Sequence, residues 1–436
     1  MKWYDESVFY QIYPLGAAGA PFENDHQEVN RISRFEEWAK PLRERNISAV
    51  IFNPLFESIS HGYDTTDYRK LDSRLGNNDD LKKMVKAYHD EDIKVVFDAV
   101  FNHVGREFPQ FQDVLEKREA SAYKDWFKID FGGENSFGDH LSYENWEGNE
   151  PLVRLNLKNP EVVNFHLSNV DYWMDEFGAD GLRLDVAYCL DHDFMKALHE
   201  HVKSKRDDFF LLGEMVHGDY NSIANPEMLD SATNYECQKG IYSSFNSKNF
   251  YEILYSFNRE FGKDPWCLYT GKNLLCFLDN HDVNRIASTL ENKEQLPLVY
   301  AMLMTMPGIP CIYYGSEWGI EGVKNWNDSS IRPEIKELES NALSETVAKL
   351  SAIHENNSAL QNGDYTQIAI NNPWCVYQRQ NDEQTIYAAF NIDANPADIS
   401  VPYHGKAKDL FNNEEIEIDG LLHVEPNQFL IIELEN

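Results

Sequence analysis

Apolar residues recur along this chain in two rhythms. Residues 8–13, Val-Phe-Tyr-Gln-Ile-Tyr, form a short apolar run stopped by Pro14, which predicts a strand. Ile32, Phe35, Trp38, Ala39 and Leu42 then fall at helical spacing and predict a helix over residues 31–45. Residues 49–53 predict a second strand, ended by Pro54, and residues 94–98 a third. Between these two, residues 79–88 read as a helix with Asn78 as its cap. Strand–helix units of about 40 residues indicate parallel β/α architecture.

The rhythm breaks from 104 to 152, a stretch rich in aromatic residues, Gly and Asp with weak periodicity. It resumes with a helix over 160–177, strand four at 181–185, a helix over 192–204 and strand five at 209–214. A weak sixth strand lies near 229–233, a seventh at 274–278 and an eighth at 311–314, followed by a helix over 341–355. Eight such strands in about 355 residues fit one closed (β/α)8 barrel. From about residue 362, short alternating runs separated by Asn, Asp, Gly and Pro predict an antiparallel all-β module. The expected organisation is a barrel formed by 1–103 and 153–360, an insertion at 104–152, and a C-terminal β-sandwich domain over 361–436.

Charge narrows the function. The chain of 436 residues carries 73 acidic against 39 basic residues, a formal net charge of -34. This balance argues against nucleic acid as a partner and against an anionic membrane surface. It suits a neutral or cationic ligand rather than a polyanion. The first residues show neither a basic segment nor an apolar core of a signal peptide, and no apolar run approaches the roughly 18 residues needed to span a bilayer. The six cysteines form no CxxC pair and read as reduced thiols, so a cytoplasmic location is expected.

Three carboxylates stand at the carboxyl ends of predicted barrel strands: Asp185, Glu214 and Asp282. These ends face one shared pocket in a barrel. Arg183 is two residues from Asp185, hence on the same side of its strand, where its charge favours the ionised carboxylate. Glycoside hydrolysis requires two carboxyl groups, one to protonate the leaving oxygen and one at the sugar carbon. His103 and His281 add neutral donors suited to sugar hydroxyls.

The segments Asp98-Ala-Val-Phe-Asn102-His103, Gly181-Leu-Arg183-Leu-Asp185, Gly213-Glu214 and Leu278-Asp-Asn-His281-Asp282 resemble, in order and spacing, the four signature segments of the α-amylase family. The resemblance covers nearly the whole chain. It implies a (β/α)8 barrel with an excursion, domain B, after strand three and an antiparallel C-terminal domain. It further implies a retaining enzyme with Asp185 as nucleophile, Glu214 as acid and then base, and Asp282 as transition-state stabiliser, with Arg183 orienting Asp185. Tyr63, in Gly62-Tyr63-Asp64, resembles the family's aromatic platform under the cleaved sugar. His103 and His281 match its hydroxyl-binding histidines, and Asp328 and Arg332 its pair on the next sugar. Trp126, Trp146 and Trp318 are further platform candidates, with core packing equally open.

Residues 183–192 are similar to the cyclomaltodextrinase and neopullulanase branch. The expected activity is therefore intracellular hydrolysis of α-1,4 bonds in maltooligosaccharides and cyclodextrins. The alternative is a broader α-amylase or neopullulanase with transglycosylation. A non-catalytic sugar-binding relative is disfavoured by the intact carboxylate set. Cyclomaltodextrinases usually carry an N-terminal β domain that builds a dimer. None is seen here, so monomer or homodimer stays undecided. Asn102 matches one of the family's calcium ligands, but Cys189 replaces the histidine whose backbone helps hold that ion. No metal and no cofactor are expected.

Overall fold

A computed structural model describes residues 1–435. Eight parallel strands form its central sheet: Phe9–Ile12, Ala49–Phe52, Lys94–Ala99, Gly181–Leu184, Phe210–Gly213, Ser231–Ala232, Leu275–Phe277 and Ile309–Tyr313. Counted in chain order, they pair as 6-5-4-3-2-1-8-7. One parallel bridge, Thr233 to Leu275, joins strands six and seven, where the amide of Asn234 donates to the Leu275 carbonyl at 2.8 Å. The sheet thereby curls into a nearly closed barrel with one weak seam.

Every residue in these strands is buried except Lys94. This is why they read as continuous apolar runs rather than alternating ones. One parity packs outward against the helices, as Val50, Phe52, Val95, Phe97, Leu182 and Leu184 do in the main core. The other parity fills the barrel: Phe9, Ile51, Val96, Leu212 and Phe277 share one interior cluster with Tyr4. Two residues beyond these inward positions stand Gln11, Asn53, Asp98 and Glu214. Strand period two therefore turns polar groups into the barrel mouth, directly above an apolar plug.

The excursion after strand three starts with His103–Gly105, which pairs antiparallel with Asn149–Arg154; Arg154 lies opposite His103. The C-terminal part forms one continuous antiparallel sheet of six strands, from Asp364–Ile370 to Gln428–Leu434. Cys375, Tyr377 and Phe390 on this sheet pack against the barrel core, and Val376, Ile399 and Val424 join a separate apolar cluster.

Two local expectations are corrected. The helix expected over 31–45 is split into Ser33–Glu36 and Ala39–Glu44. Pro41 has no amide hydrogen to continue the ladder across the break. The helix Asn78–Asp90 is capped by Asn77, whose side chain accepts from the amides of Asp79 and Asp80; the Asn78 side chain instead accepts from Leu71 N at 2.8 Å. No helix among the described residues is long and apolar enough to cross a membrane.

Arg379, 1% exposed, ties the C-terminal sheet to the barrel. It donates to the carbonyls of Thr305, Met306 and Gly363 at 2.7–3.1 Å, covering the end of the helix Leu296–Thr305. Burial pushes its guanidinium down to about 10, so it stays charged at neutral pH. Arg379→Met keeps much of the side-chain volume but leaves these carbonyls unpaired. It is expected to lower unfolding free energy by about 3 kcal/mol, measured by urea denaturation; a midpoint equal to that of the unmodified chain would show that the tie contributes nothing.

Candidate active site

Arg183 projects from strand four into the barrel mouth and is 3% exposed. Its Nη1 contacts Asp98 at 2.9 and 3.0 Å and Asp185 at 2.8 Å, while its Nη2 contacts Glu214 at 2.8 Å. One guanidinium therefore joins carboxyl groups from strands three, four and five. The pairing register supports this, since Arg183 lies opposite Asp98 on one side and Leu212 on the other. Gly181 permits the close approach: a Cβ there would sit 2.7 Å from the Phe210 carbonyl oxygen.

The backbone turns sharply after Asp185. Val186 adopts φ 42°, ψ 47°, a left-handed conformation costly for a β-branched residue. The turn aims its amide at Glu214 Oε2, 2.9 Å away. Gly213 gives Glu214 its approach, because a Cβ there would lie 2.5 Å from the Leu229 side chain. Burial pushes the carboxyls of both Asp185 and Glu214 up from their ordinary values, and Arg183 pulls each back.

A second chain of contacts crosses the mouth. Gln11 donates to Asn53 at 2.9 Å, and Asn53 donates to Asp98 at 2.9 Å. Tyr63 donates to Asp98 at 3.0 Å, and its hydroxyl also meets His281 Nε2. Gln11 Nε2 lies 3.1 Å from His281 Nδ1, an arrangement that assigns the ring proton to Nε2, 3.0 Å from Asp282. Arg332 completes the chain, with Nη2 3.1 Å from Asp282 and 3.0 Å from Asp328. Asp282 keeps 32% of its side chain exposed. Burial pushes its carboxyl up, but His281, Arg332 and Arg183 outweigh that effect and hold it well below the usual carboxylate range.

His103 is 1% exposed, and burial pushes its imidazole down to about 3. Asn102 Nδ2 lies 3.1 Å from its Nδ1. Nε2 has no partner and stands 4.0 Å from Asp185 Oδ2, a neutral donor directed at the same space.

These groups open into a cleft of about 450 Å³. Tyr63, His103, Asp185, Glu214, Asp282, Asp328 and Arg332 all line it. Arg183 and His281 lie beneath, behind Asp185 and Tyr63. The structure thus brings together every site residue expected from sequence. Of the three tryptophans, Trp146 lines the cleft beside His103, at 5.9 Å between rings. Trp126 and Trp318 belong to the main core, the packing role left open for them by the sequence. Sequence reasoning did not assign roles to Gln11, Asn53 or Asp98. Only their strand parity and position at the carboxyl ends could have signalled them.

The family calcium site does not fit these residues. Asn102 Oδ1 is buried and unpaired, as an ion ligand would be. However, the Cys189 carbonyl accepts from Arg154 Nη2 at 3.2 Å, so a guanidinium already stands at that carbonyl. Arg154 also faces Glu144 at 3.6 Å, within the excursion. Among the described residues no cluster of three or more His, Cys, Asp and Glu side chains is arranged to hold a metal ion.

A family model described as "Alpha amylase, catalytic domain" matches residues 40–361. A maltogenic alpha-amylase of Bacillus acidopullulyticus is 29% identical over 99% of this chain and 78% of its own length. A cyclomaltodextrinase of Geobacillus thermopakistaniensis is 31% identical over 94% of this chain and 73% of its own. The solved structure of a cyclic alpha-maltosyl-(1→6)-maltose hydrolase from Arthrobacter globiformis superposes with a TM-score of 0.85, covering all of both chains at 21% identity, a likeness of fold.

If Arg154 supplies the positive charge at the Cys189 carbonyl, dialysis against a chelator is expected to leave the melting temperature unchanged. A fall of several degrees, restored by calcium, would refute this.

Proposed function

The chain belongs to the α-amylase family of glycoside hydrolases, and from that premise we propose that it cleaves α-1,4 bonds of maltooligosaccharides and cyclodextrins with retention of configuration. The observation that carries the mechanism is Arg183 bridging Asp185 and Glu214 through its two terminal nitrogens. Two carboxyls on one guanidinium are compatible with the roughly 5–5.5 Å spacing of retaining enzymes.

In the first step Glu214 donates its proton to the glycosidic oxygen while Asp185 attacks the anomeric carbon. The carbon–oxygen bond breaks, the shortened glucan departs with the proton, and a covalent glucosyl-enzyme forms at Asp185. Glu214, now ionised, takes a proton from water as that water attacks the same carbon and frees Asp185. A sugar hydroxyl in place of the water gives transglycosylation. The upward push of burial on Glu214 suits the acid of the first step. Asp282, held ionised, accepts hydrogen bonds from sugar hydroxyls and His103 donates to them, while His281, beneath the cleft, positions Asp282. Tyr63 offers its ring face to the apolar side of the cleaved sugar, and Asp328 and Arg332 bind the next one.

Six unpaired thiols, four of them buried, support a reducing cytoplasmic setting. The cyclomaltodextrinase relative supports small dextrins as substrates. Side-by-side digestion of β-cyclodextrin, maltoheptaose, pullulan and soluble starch tests this. Rapid loss of cyclodextrin and maltoheptaose with slow starch digestion is expected. Starch cut fastest with cyclodextrin intact would replace the reading by an open-cleft α-amylase.

Two variants test the roles. Asp185→Asn should abolish turnover while leaving the melting temperature near that of the unmodified chain. Glu214→Gln should lose hydrolysis of maltooligosaccharides by at least about 100-fold, yet still release fluoride in a first burst from α-maltosyl fluoride, whose leaving group needs no proton. Absence of that burst would remove Glu214 from the acid role.

The pH profile has a definite sign. The negative charge of Asp98 raises the Asp185 carboxyl. Asp98→Asn removes that charge, so Asp185 ionises at lower pH and the acid limb of kcat/KM moves down. Movement upward would contradict the electrostatic assignment.

A further inference from the structure

Two exposed aromatic rings stand at the rim of the cleft, from loops about three hundred residues apart. Phe22 follows barrel strand one and is 41% exposed; Trp326 follows strand eight and is 88% exposed. Both line the cleft, and their rings touch at 6.2 Å between centroids with planes tilted by 59°. A sugar between two aromatic faces needs about 7–8 Å, twice a van der Waals contact. No sugar passes between this pair, so Phe22 buttresses Trp326 and leaves the indole's other face free.

Neither ring hangs on a slack loop. The carbonyl of Phe22 accepts from Arg74 Nη1 at 2.7 Å, and that of Pro21 accepts from the same nitrogen at 3.0 Å. Arg74 is fully buried and paired with Asp72 at 2.7 Å. It also holds the Ser60 carbonyl at 2.7 Å, on the loop that carries Tyr63. On the other side, Lys324 N donates to Asn284 at 2.8 Å, and the amides of Ile331 and Arg332 donate to the Asp328 carbonyl at 3.1 Å. Lys324 Nζ reaches the Asp282 carbonyl at 3.2 Å. Trp326 is thus tied through its neighbours to the groups that flank Asp282. Such a large apolar ring, anchored yet left in water beside a polar cleft, marks a binding surface.

We infer that Trp326, braced by Phe22, is a stacking ledge for the α-glucan ring one position beyond the sugar held by Asp328 and Arg332. The proposal rests on the hydrolase reading above and extends it to chain length. The flat apolar face of a glucose ring covers the free indole face, while its hydroxyls remain in water. The ligand is neutral, in keeping with a site of acidic surroundings.

The readout is the ratio of kcat/KM for maltoheptaose to that for maltotriose. Maltotriose spanning the scissile bond places at most two rings on this side and does not reach the ledge. Trp326→Ala is expected to lower the ratio about two- to tenfold, the strength of one aromatic stacking contact. Trp326→Phe should restore most of it, and Phe22→Ala should lower it less. An unchanged ratio in Trp326→Ala overturns the ledge. As an independent measure, maltoheptaose should quench tryptophan fluorescence in Asp185→Asn, and the quench should fall when Trp326→Phe is added. An equal quench in both overturns the ledge as well. If the unmodified enzyme cleaves neither sugar, the hydrolase reading fails instead, and the fluorescence titration still decides the ledge.

Discussion

The structure depends on one buried cation. Arg183 sits in the barrel mouth with carboxyl groups of Asp98, Asp185 and Glu214 all within 3.0 Å of its terminal nitrogens. Two buried charges of opposite sign attract strongly in a medium of low dielectric, but each loses its hydration. Such a cluster is tolerated only where geometry is tight and every remaining lone pair finds a donor. The barrel meets that condition for Asp98, and leaves Asp185 Oδ2 facing the cleft, 4.0 Å from His103 Nε2. Its inward parity carries an apolar plug below and polar ends above, and neighbouring strands are held in register by the ladder. Asn53 and Tyr63 supply the donors that Asp98 still needs, and Val186 supplies one to Glu214.

From this cation the second network extends outward. Asp98 links to Tyr63, Tyr63 to His281, His281 to Asp282, and Asp282 to Arg332. The links join strand three to the loops that follow strands two, seven and eight. A loop residue is placed with strand-like precision when its side chain is bonded to the strand ends themselves. The same reasoning explains the strained Val186. Its left-handed backbone is maintained because the strand before it and the Glu214 contact after it leave no other path.

Much of this was legible in the sequence, for a physical reason. Buried parallel strands require apolar runs, so seven of the eight strands announce themselves. The sixth strand, Ser231–Ala232, has no such run; it is two residues long and sits at the barrel seam. Asp185 and Glu214 were visible because each directly follows an apolar strand, and Asp282 because it stands in the short polar segment after one. Asp98 was visible only as a motif residue, and its central contact with Arg183 comes from strand register, which one sequence does not display. The broken helix after strand one could have been read from Pro41. The pairing of Phe22 with Trp326 could not, since nothing local in either loop signals the other.

The charge arithmetic of the mouth bears on the proposed chemistry. Around Arg183 and Arg332 stand five carboxyl groups: Asp98, Asp185, Glu214, Asp282 and Asp328. With Glu214 protonated as the acid, four carboxylates stand against Arg183, Arg332 and Lys324, which lies 3.8 Å from Asp328, and a neutral sugar brings no charge of its own. The surplus pushes the Glu214 proton to stay bound, because Asp282 disfavours another anion nearby. It also has a target. As the glycosidic bond stretches, positive charge builds on the sugar ring, and the preformed negative surplus is strongest where that charge appears. The interaction is weak with the neutral ground state and strong with the charged transition state. That difference is what accelerates a reaction, and the barrel holds it in place before substrate arrives.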